Sequence, residues 1–281
     1  MIHQFPLVRH GLLLLLLFCG FASCMKEDLS DCPPVPPSHT EVENRIQLTF
    51  IPYSEATKEG FNANELESIT VFAFDTNGRF VAKVTDDAPR LGESDYYVSL
   101  PLLPGHYDFY AWGNVRDCYA FTCTDFIKEE TLAATTGLNY ARPSNDTVNV
   151  SPHPLFFASL KNTEVKPLTR AAVVYQTLTM PLTKNTYHLD FELSGLDAGL
   201  LFDIAVTDNN SSYGFDNSFL DCDYLNYASP CTWQTEDNAY RSSLTTLRLD
   251  RKRSPRFKLY NRATGQLLYH EDLIDRFQPP I

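Results

Sequence analysis

The chain has 281 residues and a formal net charge of −12 at pH 7. An acidic surface argues against binding to nucleic acid and against docking on anionic lipid, because the like charges would repel each other. The length is enough for two domains of common size, even after an N-terminal signal peptide is removed.

Residues 1–23 have the organisation of a secretory signal peptide. Arg9 supplies the positive charge, residues 12–18 form a short apolar run, and Ala22-Ser23 are small residues at the cleavage site. The apolar run is shorter than the roughly 20 residues that a transmembrane helix needs, which disfavours a membrane-spanning helix. Cys24 follows directly, as in bacterial lipoproteins, whose cysteine is acylated. We therefore predict that Cys24 carries lipid, with an ordinary exported protein as the alternative.

The segment that follows predicts a tether over residues 24–44. Lys26, Glu27 and Asp28 resemble the lysine-plus-acidic signal that sends lipoproteins of Bacteroidota to the outer face of the outer membrane. Three solvated charges near a terminus are the alternative. Residues 32–37 are mostly proline and favour extended polyproline II structure, at about 3.1 Å per residue. A stiff spacer of this kind would hold a folded body away from a membrane.

Five cysteines remain when the signal peptide and the lipidated cysteine are set aside. An exported chain folds where disulfides can form. The short spacings suggest Cys118–Cys123 and Cys222–Cys231 as local disulfides and leave Cys32 unpaired, although spacing alone does not determine connectivity. Zinc is the alternative for such pairs, but neither has the two-residue gap or the nearby histidine pair of zinc sites. No metal is therefore predicted.

The first half of the chain predicts short strands. Residues 46–53 and 69–74 alternate apolar and polar side chains, which is the period of a half-buried strand. Asn77-Gly78 then predicts a tight turn, and residues 79–85 a returning strand. The turn sequence resembles the start of a calcium loop, but acidic residues are absent from the later ligand positions.

Further along, residues 96–100 and 107–112 predict two more strands, paired across a turn at Pro104-Gly105. The pattern then weakens. Residues 125–132 predict one short helix capped by Asp125, inside a loop that closes the first domain.

A second series of strands follows a break near residue 167. The predicted strands cover residues 171–179, 187–193, 201–206, 244–249, and a hairpin of 257–260 with 266–269. Two runs of short strands without a βαβ rhythm predict an all-β fold. We assign one β-sandwich domain to residues 45–165 and a second to residues 166–281.

Four stretches, including residues 69–75 and 189–196, resemble the FimB-type fimbrial anchor-subunit lipoproteins of Bacteroidota, and the resemblance covers most of the mature chain. Residues 27–33, just after the predicted lipid site, are similar to the start of these proteins, and residues 103–114 to their most recognisable strand. The resemblance implies two transthyretin-like β-sandwiches in tandem. It also implies an anchoring or minor subunit at the base of a fimbrium, which binds the shaft subunit, attaches it to the outer membrane through the N-terminal lipid, and limits its length.

The resemblance also predicts features at the C-terminal and N-terminal ends of the folded body. The members of this family generally continue past the strand at 267–269 into a closing strand, so we expect the second sandwich to be short of its last strand here, or the sequence to be truncated. Related shaft subunits resemble strand-exchanging polymers that are trimmed at an arginine before their first strand. We predict that Arg45 is not cleaved, because cleavage would release the body from its lipid.

Catalytic patterns are missing from the sequence. The seven histidines are scattered without metal-ligand spacing, and motifs for nucleophilic or phosphate chemistry are absent. An acidic stretch, with Asp203, Asp208, Asp216, Asp221 and Asp223, is typical of a solvated loop, with calcium binding as the alternative. We predict neither an enzyme nor a cofactor.

Two other functions remain open. One is a surface glycan-binding lipoprotein, which would require Trp112, Trp233 or several tyrosines to be exposed together on one face. The other is a structural or adhesive surface lipoprotein outside any fimbrium.

Overall fold

The computed structural model describes residues 44–53, 61–167 and 175–275. These residues form β-strands and single turns of 3₁₀ helix, and no α-helix occurs among them, so the predicted all-β fold is confirmed. The strands are β1 (Asn44–Tyr53), β2 (Ile69–Asp75), β3 (Phe80–Asp86), β4 (Val98–Leu102), β5 (Gly105–Gly113), β6 (Tyr119–Phe121), β7 (Gly137–Tyr140), β8 (Thr147–Val148), β9 (Phe156–Val165), β10 (Gln176–Lys184), β11 (Thr186–Ser194), β12 (Phe202–Asp208), β13 (Ser212–Gly214), β14 (Leu225–Pro230), β15 (Thr232–Gln234), β16 (Ala239–Leu247), β17 (Arg256–Asn261) and β18 (Leu267–Asp272). The 3₁₀ turns are Ala63–Glu65, Ala133–Thr135, Arg251–Arg253 and Leu273–Asp275.

The largest sheet has seven strands in the order β3-β2-β5-β9-β10-β1-β4. Its edge strands β3 and β4 approach each other, so the sheet curls around a core of its own. In β1 every second side chain points into this core, and Ile46 and Leu48 are fully buried, as the alternating pattern predicts. β1 runs parallel to β10 and antiparallel to β4.

Strands β2 and β5 are buried on both faces. Val71 and Ala73 point into the core of the curled sheet, while Phe72 and Phe74 belong to a second core on its outer side. Trp112 of β5 joins that second core. Strands covered on both faces need a nearly continuous apolar sequence, which explains why these segments are richer in aromatic residues than a half-buried strand requires.

The remaining three sheets pack around the second core. A five-stranded sheet (β18-β17-β12-β14-β8) faces a three-stranded sheet (β11-β16-β15), and a small sheet (β13-β7-β6) covers the outer face of β2 and β5. The predicted hairpin of β17 and β18 is confirmed, with Gly265 at a φ of 70° in its turn. The aromatic ring of Phe215, just after β13, contacts that of Phe72, with centroids 4.9 Å apart.

The predicted pairing of β4 with β5 is wrong. β4 lies beside β1 at one edge of the sheet, whereas β5 pairs with β2 and β9. Alternation identifies a strand but not its neighbour. Pro101 lies in β4, and an edge strand suits it because proline has no backbone N–H for the ladder.

The predicted helix over residues 125–132 is also wrong. Glu129 has a φ of 64°, which an α-helix does not allow. The backbone of this segment forms hydrogen bonds with β3 instead. Glu129 N donates to Phe80 O, and Phe80 N donates to Thr131 O. The N–H of Glu129 and the C=O of Thr131 are therefore bonded to β3, whereas in an α-helix they would bond to other residues of the same helix.

The strand pairing bears on the proposed division at residues 165 and 166. β10 completes the first sheet beside β1 and β9, and the short β8 joins the second sheet beside β14. Part of the predicted strand over 171–179 lies outside the described residues, and β10 itself begins at Gln176. As a statement about separate folding units, the division into 45–165 and 166–281 stays a prediction.

Candidate subunit interface

The predicted lipid and sorting residues are Cys24, Lys26, Glu27 and Asp28. They lie outside the described residues, as does Cys32 of the proline-rich segment. Their roles stay predictions. Within the described ranges, no helix has the length and apolar character needed to cross a membrane.

The four remaining cysteines are free thiols, so neither predicted disulfide is present. Strand β14 lies between Cys222 and Cys231, and six extended residues span about 20 Å. β6 separates Cys118 from Cys123 by about 10 Å in the same way. A disulfide needs Cα atoms within about 7 Å, so the short sequence spacing was misleading.

Arg45 lies inside β1 and not before it. Its side chain is exposed, and in the ladder it sits opposite Pro101 of β4. From Ile46 to Tyr53 the same strand pairs with β10. A protease that binds an extended substrate would have to pull this part of β1 out of a paired sheet.

Neither tryptophan is available as an exposed platform for a sugar. Trp112 is fully buried, and Trp233 is half-buried against Tyr240, with ring centroids 4.8 Å apart. Tyr53 and Tyr175 are exposed but lie near opposite ends of the parallel β1–β10 pair. The tryptophans therefore do not supply the exposed aromatic face that glycan binding was expected to require, and the glycan-binding alternative stays a prediction that depends on the exposed tyrosines.

The acidic stretch is dispersed and not clustered. Asp203 pairs with Arg262 at 2.7 Å and Asp223 with Arg142 at 2.6 Å, while Asp216 accepts a hydrogen bond from Ser218. The described residues contain no group of three or more side chains placed to hold a metal ion.

Asp208 is the exception within this stretch, because it is fully buried at the end of β12. Oδ1 accepts a hydrogen bond of 2.8 Å from the backbone of Asn209, and Oδ2 has no hydrogen-bond partner in the described ranges. Burial raises the pKa of this carboxyl to about 7, although the charge of Arg253 opposes the shift. Asp208 therefore carries its proton in the folded protein below neutral pH.

A groove of about 650 Å³ lies at the side of the second core, where β11 and β18 are the sheet edges. Leu189, Phe191 and Leu193 alternate along β11 and line this groove. The ring of Phe191 stacks on Phe257 of β17, with centroids 5.2 Å and planes 23° apart. The three β11 side chains are only half-buried, whereas Phe257 and Leu259 beneath them are buried. We refer to this feature as the β11–β18 groove.

The two facing sheets have unequal widths on this side. β11 is the edge strand of the three-stranded sheet and stacks over β17, while the five-stranded sheet continues one strand further to β18. Leu267, Leu268 and Tyr269 of β18 are 42–45% exposed, and Tyr269 is the one of the three that lines the groove. Among the described strands, none lies beside β11 and opposite β18.

Three acidic residues belong to the strands of the groove. Asp190 and Glu192 of β11 and Glu271 of β18 are among its lining residues, and the described lining contains no lysine or arginine. Glu192 pairs with Arg241 at 3.0 Å, outside the groove lining, and Glu271 accepts a hydrogen bond from Tyr269 at 2.7 Å. Asp190 and Glu192 alternate along β11 with the apolar side chains of the groove and therefore lie on the opposite face of the strand, where Asp190 is 3.3 Å from His188.

The sequence pattern of a protein family described as "Fimbrillin-A associated anchor proteins Mfa1 and Mfa2" matches residues 29–281. This chain belongs to that family. The resemblance to fimbrial anchor proteins of Bacteroidota is thereby confirmed, and family membership supports a role as a fimbrial subunit.

Individual relatives agree with this assignment. The minor fimbrium anchoring subunit Mfa2 of Porphyromonas gingivalis is 23% identical over 262 residues, which cover 92% of this chain and 76% of the relative. The solved structure of the fimbrial anchor protein Mfa2 from the same species has a TM-score of 0.71 at 21% identity and covers 83% of each chain. A candidate polysaccharide-binding protein of Bacteroides thetaiotaomicron has a TM-score of 0.70 at 24% identity, covering 83% of this chain and 82% of its own. At these identities the solved structures show a shared fold.

The sequence predicted the strands of the β11–β18 groove but not the groove itself. Strict alternation in residues 187–193 indicates an apolar face. That face is incompletely covered, because the facing sheet extends one strand further. The alternation of a single strand does not predict the width of the sheet that faces it.

Proposed function

We propose that this protein is an outer-membrane lipoprotein that anchors a fimbrium to the cell surface as a minor subunit and limits the length of the shaft. The observation that carries the proposal is the family match over residues 29–281, which begins five residues after Cys24. The lipid on Cys24 supplies attachment, residues 24–44 supply the spacer, and the β-body supplies contacts to the shaft subunit.

The described body is suited to carrying load. The outer face of the first sheet and the sheets of the second half share one core, so they are not joined by a bare linker. Asn185 connects β10 directly to β11, and its amide donates to Asn217 Oδ1 at 2.6 Å. A body joined in this way passes tension from the membrane side to the shaft side through packed sheets.

Contacts with the shaft subunit are proposed to be of the strand type. An exposed sheet edge offers unpaired N–H and C=O groups that an extended segment of another chain can complete. Such contacts need neither metal nor cofactor. A subunit that is fixed to the membrane ends the chain of subunits, which would limit shaft length.

The proposal is tested by Cys24→Ala in the native host, with Cys32→Ala as the matched control. We expect wild type and Cys32→Ala to fractionate with the outer membrane, to carry acyl chains on residue 24, and to co-purify with a fimbrial shaft protein. Cys24→Ala should leave the membrane, and fimbriae should be shed into the medium and lengthened. An acylated protein that travels with polysaccharide-uptake proteins and with no fimbrial subunit would contradict the proposal.

A further inference from the structure

We propose that residues 248–258 form a cationic surface that docks on the phosphate groups of a lipid membrane and orients the folded body against it. We refer to this surface as the basic patch. The membrane as the source of phosphate rests on the proposed function, because a lipid on Cys24 would keep the body near such a surface. The basic patch itself is a property of this chain.

The positive charge of the chain is concentrated in the basic patch. Residues 248–258 hold six of the 23 lysines and arginines and one acidic residue, which gives this segment a net charge of +5. The whole chain has a net charge of −12, so the other residues together carry −17. The acidic net charge therefore conceals a separate basic region, which an anionic surface attracts when the two face each other.

Two arginines of the basic patch are held by uncharged groups. The ring of Phe219 contacts the guanidinium groups of Arg248 and Arg253, which lie 4.3 and 4.7 Å from its centroid. Arg248 Nη2 donates to the backbone oxygen of Asn217 at 2.6 Å, and Arg253 Nε donates to Asn209 Oδ1 at 2.9 Å. Neither arginine forms an ion pair with a described carboxylate, so both add to the positive potential of the patch.

Lys252, Arg256 and Lys258 are available to an external anion. Lys252 and Arg256 are exposed and Lys258 is half-buried, and none of the three forms an ion pair within the part of the chain that the structure describes. Cations elsewhere on the body are paired more often. Seven of them form ion pairs with carboxylates: Arg90, Arg116, Arg142, Lys161, Lys184, Arg241 and Arg262.

Strand β17 places two of these cations on one face of a sheet. Phe257 and Leu259 of β17 belong to the second core, so Arg256 and Lys258, at the alternate positions, point to the outer face of the five-stranded sheet. The 3₁₀ turn Arg251–Arg253 directly precedes this strand. Six residues separate Lys252 from Lys258, so their Cα atoms are at most about 21 Å apart.

Two carboxylates belong to the turn and the ladder of the basic patch. Asp250 Oδ1 accepts a hydrogen bond of 2.9 Å from the backbone nitrogen of Lys252, and Asp272 Oδ1 accepts one of 2.9 Å from that of Ile274. Asp272 is also the ladder partner of Arg256. Six cations and these two carboxylates leave a net charge of +4, so the patch stays positive.

A lipid surface suits these side chains better than a protein surface does. The centres of protein interfaces are depleted in lysine and rich in aromatic residues, whereas the basic patch presents long cations on a sheet face and a turn. Clusters of four to eight lysines and arginines are typical of anionic-lipid binding, and each cation near the surface strengthens binding about fivefold. Salt screens charges further than about 8 Å away, which limits repulsion from the acidic remainder of the body.

Weak attraction is sufficient for a body that is already attached. A lipid on Cys24 and the proposed spacer of residues 24–44 would make docking intramolecular, with an effective concentration in the millimolar range for a short flexible linker. Docking through the basic patch would then turn the outer face of the five-stranded sheet toward the membrane.

The test measures co-sedimentation of the full mature chain with lipid vesicles, using Cys24→Ala so that no acyl chain contributes. One set of vesicles contains phosphatidylcholine and phosphatidylglycerol, and the other contains phosphatidylcholine alone. We expect binding to the anionic vesicles to be at least tenfold tighter, and to be lost at about 0.5 M salt because the charges are then screened. Equal binding to both sets would overturn the proposal.

A pair of charge-matched variants locates the binding surface. The patch variant combines Lys252→Gln, Arg256→Gln and Lys258→Gln. The control variant removes three exposed cations outside the patch, through Arg45→Gln, Lys83→Gln and Lys128→Gln. We expect the patch variant to bind anionic vesicles about a hundredfold more weakly, at about fivefold per cation. The control variant should change binding less than threefold, and equal losses would overturn the proposal.

Competition separates the membrane from other anions. Inorganic phosphate should not displace the protein from anionic vesicles, and poly-L-glutamate should bind at least tenfold more weakly than the vesicles do. Displacement by inorganic phosphate would indicate a site for the free ion, and tighter binding of poly-L-glutamate would indicate an acidic protein partner. Either result would overturn the assignment to a membrane.

Thermal melts show whether each variant is folded, and the vesicle, salt and competition measurements on Cys24→Ala remain decisive if the patch variant is not. The outcome is separable from that of the proposed function. Acylation of Cys24 and co-purification with a shaft protein, without vesicle binding, would overturn only the membrane-docking role of the basic patch. Vesicle binding by a protein that is not acylated in its host would contradict only the lipid anchor.

Discussion

The indole nitrogen of Trp112 donates a hydrogen bond of 3.1 Å to the carbonyl oxygen of Phe215, and this bond joins β5 of the first sheet to the segment after β13. The two residues are fully or almost fully buried, and both belong to the core that the two halves of the body share. The bond therefore links residues 103 positions apart in sequence at a place that water does not reach.

Trp112→Phe should destabilise the protein by about 2 to 4 kcal/mol. The change leaves the buried carbonyl of Phe215 without its donor and removes part of a large buried ring system. Equilibrium unfolding in urea measures the free energy of unfolding. Trp233→Phe is the control, because Trp233 is only half-buried and should cost less than about 1 kcal/mol. An equal decrease in the free energy of unfolding for the two variants would mean that the Trp112 hydrogen bond does not contribute to stability.

The sequence predicted local structure better than it predicted neighbours. The alternation of residues 46–53 and the Asn77-Gly78 turn are local signals, and both gave the correct strand or hairpin. The partner of β4 and the position of β10 depend on how seven strands close around one core, which no local pattern encodes. The cysteine pairs failed for the same reason, because a strand between two nearby cysteines separates them in space.

The functional features divide in a similar way. The predicted lipid site at Cys24 depends on a short linear motif, which the sequence alone can suggest. The groove depends on the relative widths of two sheets, which become visible only when β11 is seen stacked on β17. Asp208 looked like one of several loop carboxylates, and only its burial at the end of β12 sets it apart.

Arg45 should remain uncleaved in the mature protein. It is paired inside β1, and a cut there would separate the body from the lipid that we propose for Cys24. Intact-mass spectrometry of protein from native membranes should therefore detect a chain that begins at the acylated cysteine, for wild type and for Arg45→Ala alike. A wild-type body that begins at Ile46, with Arg45→Ala uncut, would contradict this prediction.

The stability of the protein should fall as the pH rises from about 4 to about 7. Burial raises the pKa of Asp208 to about 7 from an ordinary value of 3.8, so in this window the folded state holds a proton that the unfolded state has lost. The contribution of the neutral carboxyl is fully present below pH 4 and declines by about 1.4 kcal/mol per pH unit up to the folded-state pKa. Urea unfolding across this range measures it.

Asp208→Asn removes the titration at nearly constant shape and provides the comparison. The free energy of unfolding of Asp208→Asn, relative to wild type, should rise between pH 4 and pH 7 and then level off. Asp87→Asn, at an exposed carboxyl, should follow the wild-type profile. Parallel curves for wild type and Asp208→Asn would show that Asp208 does not bind the proton.

The parallel pair β1–β10 should resist tension applied along its strands. The predicted tether precedes β1 in the chain, and the chain leaves β10 at its far end toward β11. If the proposed lipid anchor holds the N-terminus, tension between that end and the second half pulls the two strands in opposite directions along their length. The ladder from Ile46–Gln176 to Tyr53–Thr183 is then loaded in shear, and its hydrogen bonds must fail together. Unfolding under force is governed by the unfolding rate, which single-molecule pulling measures.

Optical-tweezers handles at residues 45 and 183 reproduce this shear geometry. Handles at residues 53 and 183 provide the matched control, because Tyr53 and Thr183 are partners at the same end of the ladder, so pulling there opens one bond at a time. We expect the first geometry to unfold at several-fold higher force than the second. Equal forces would mean that the ladder does not carry the load and that the membrane-side tension runs through β4 or the shared core instead.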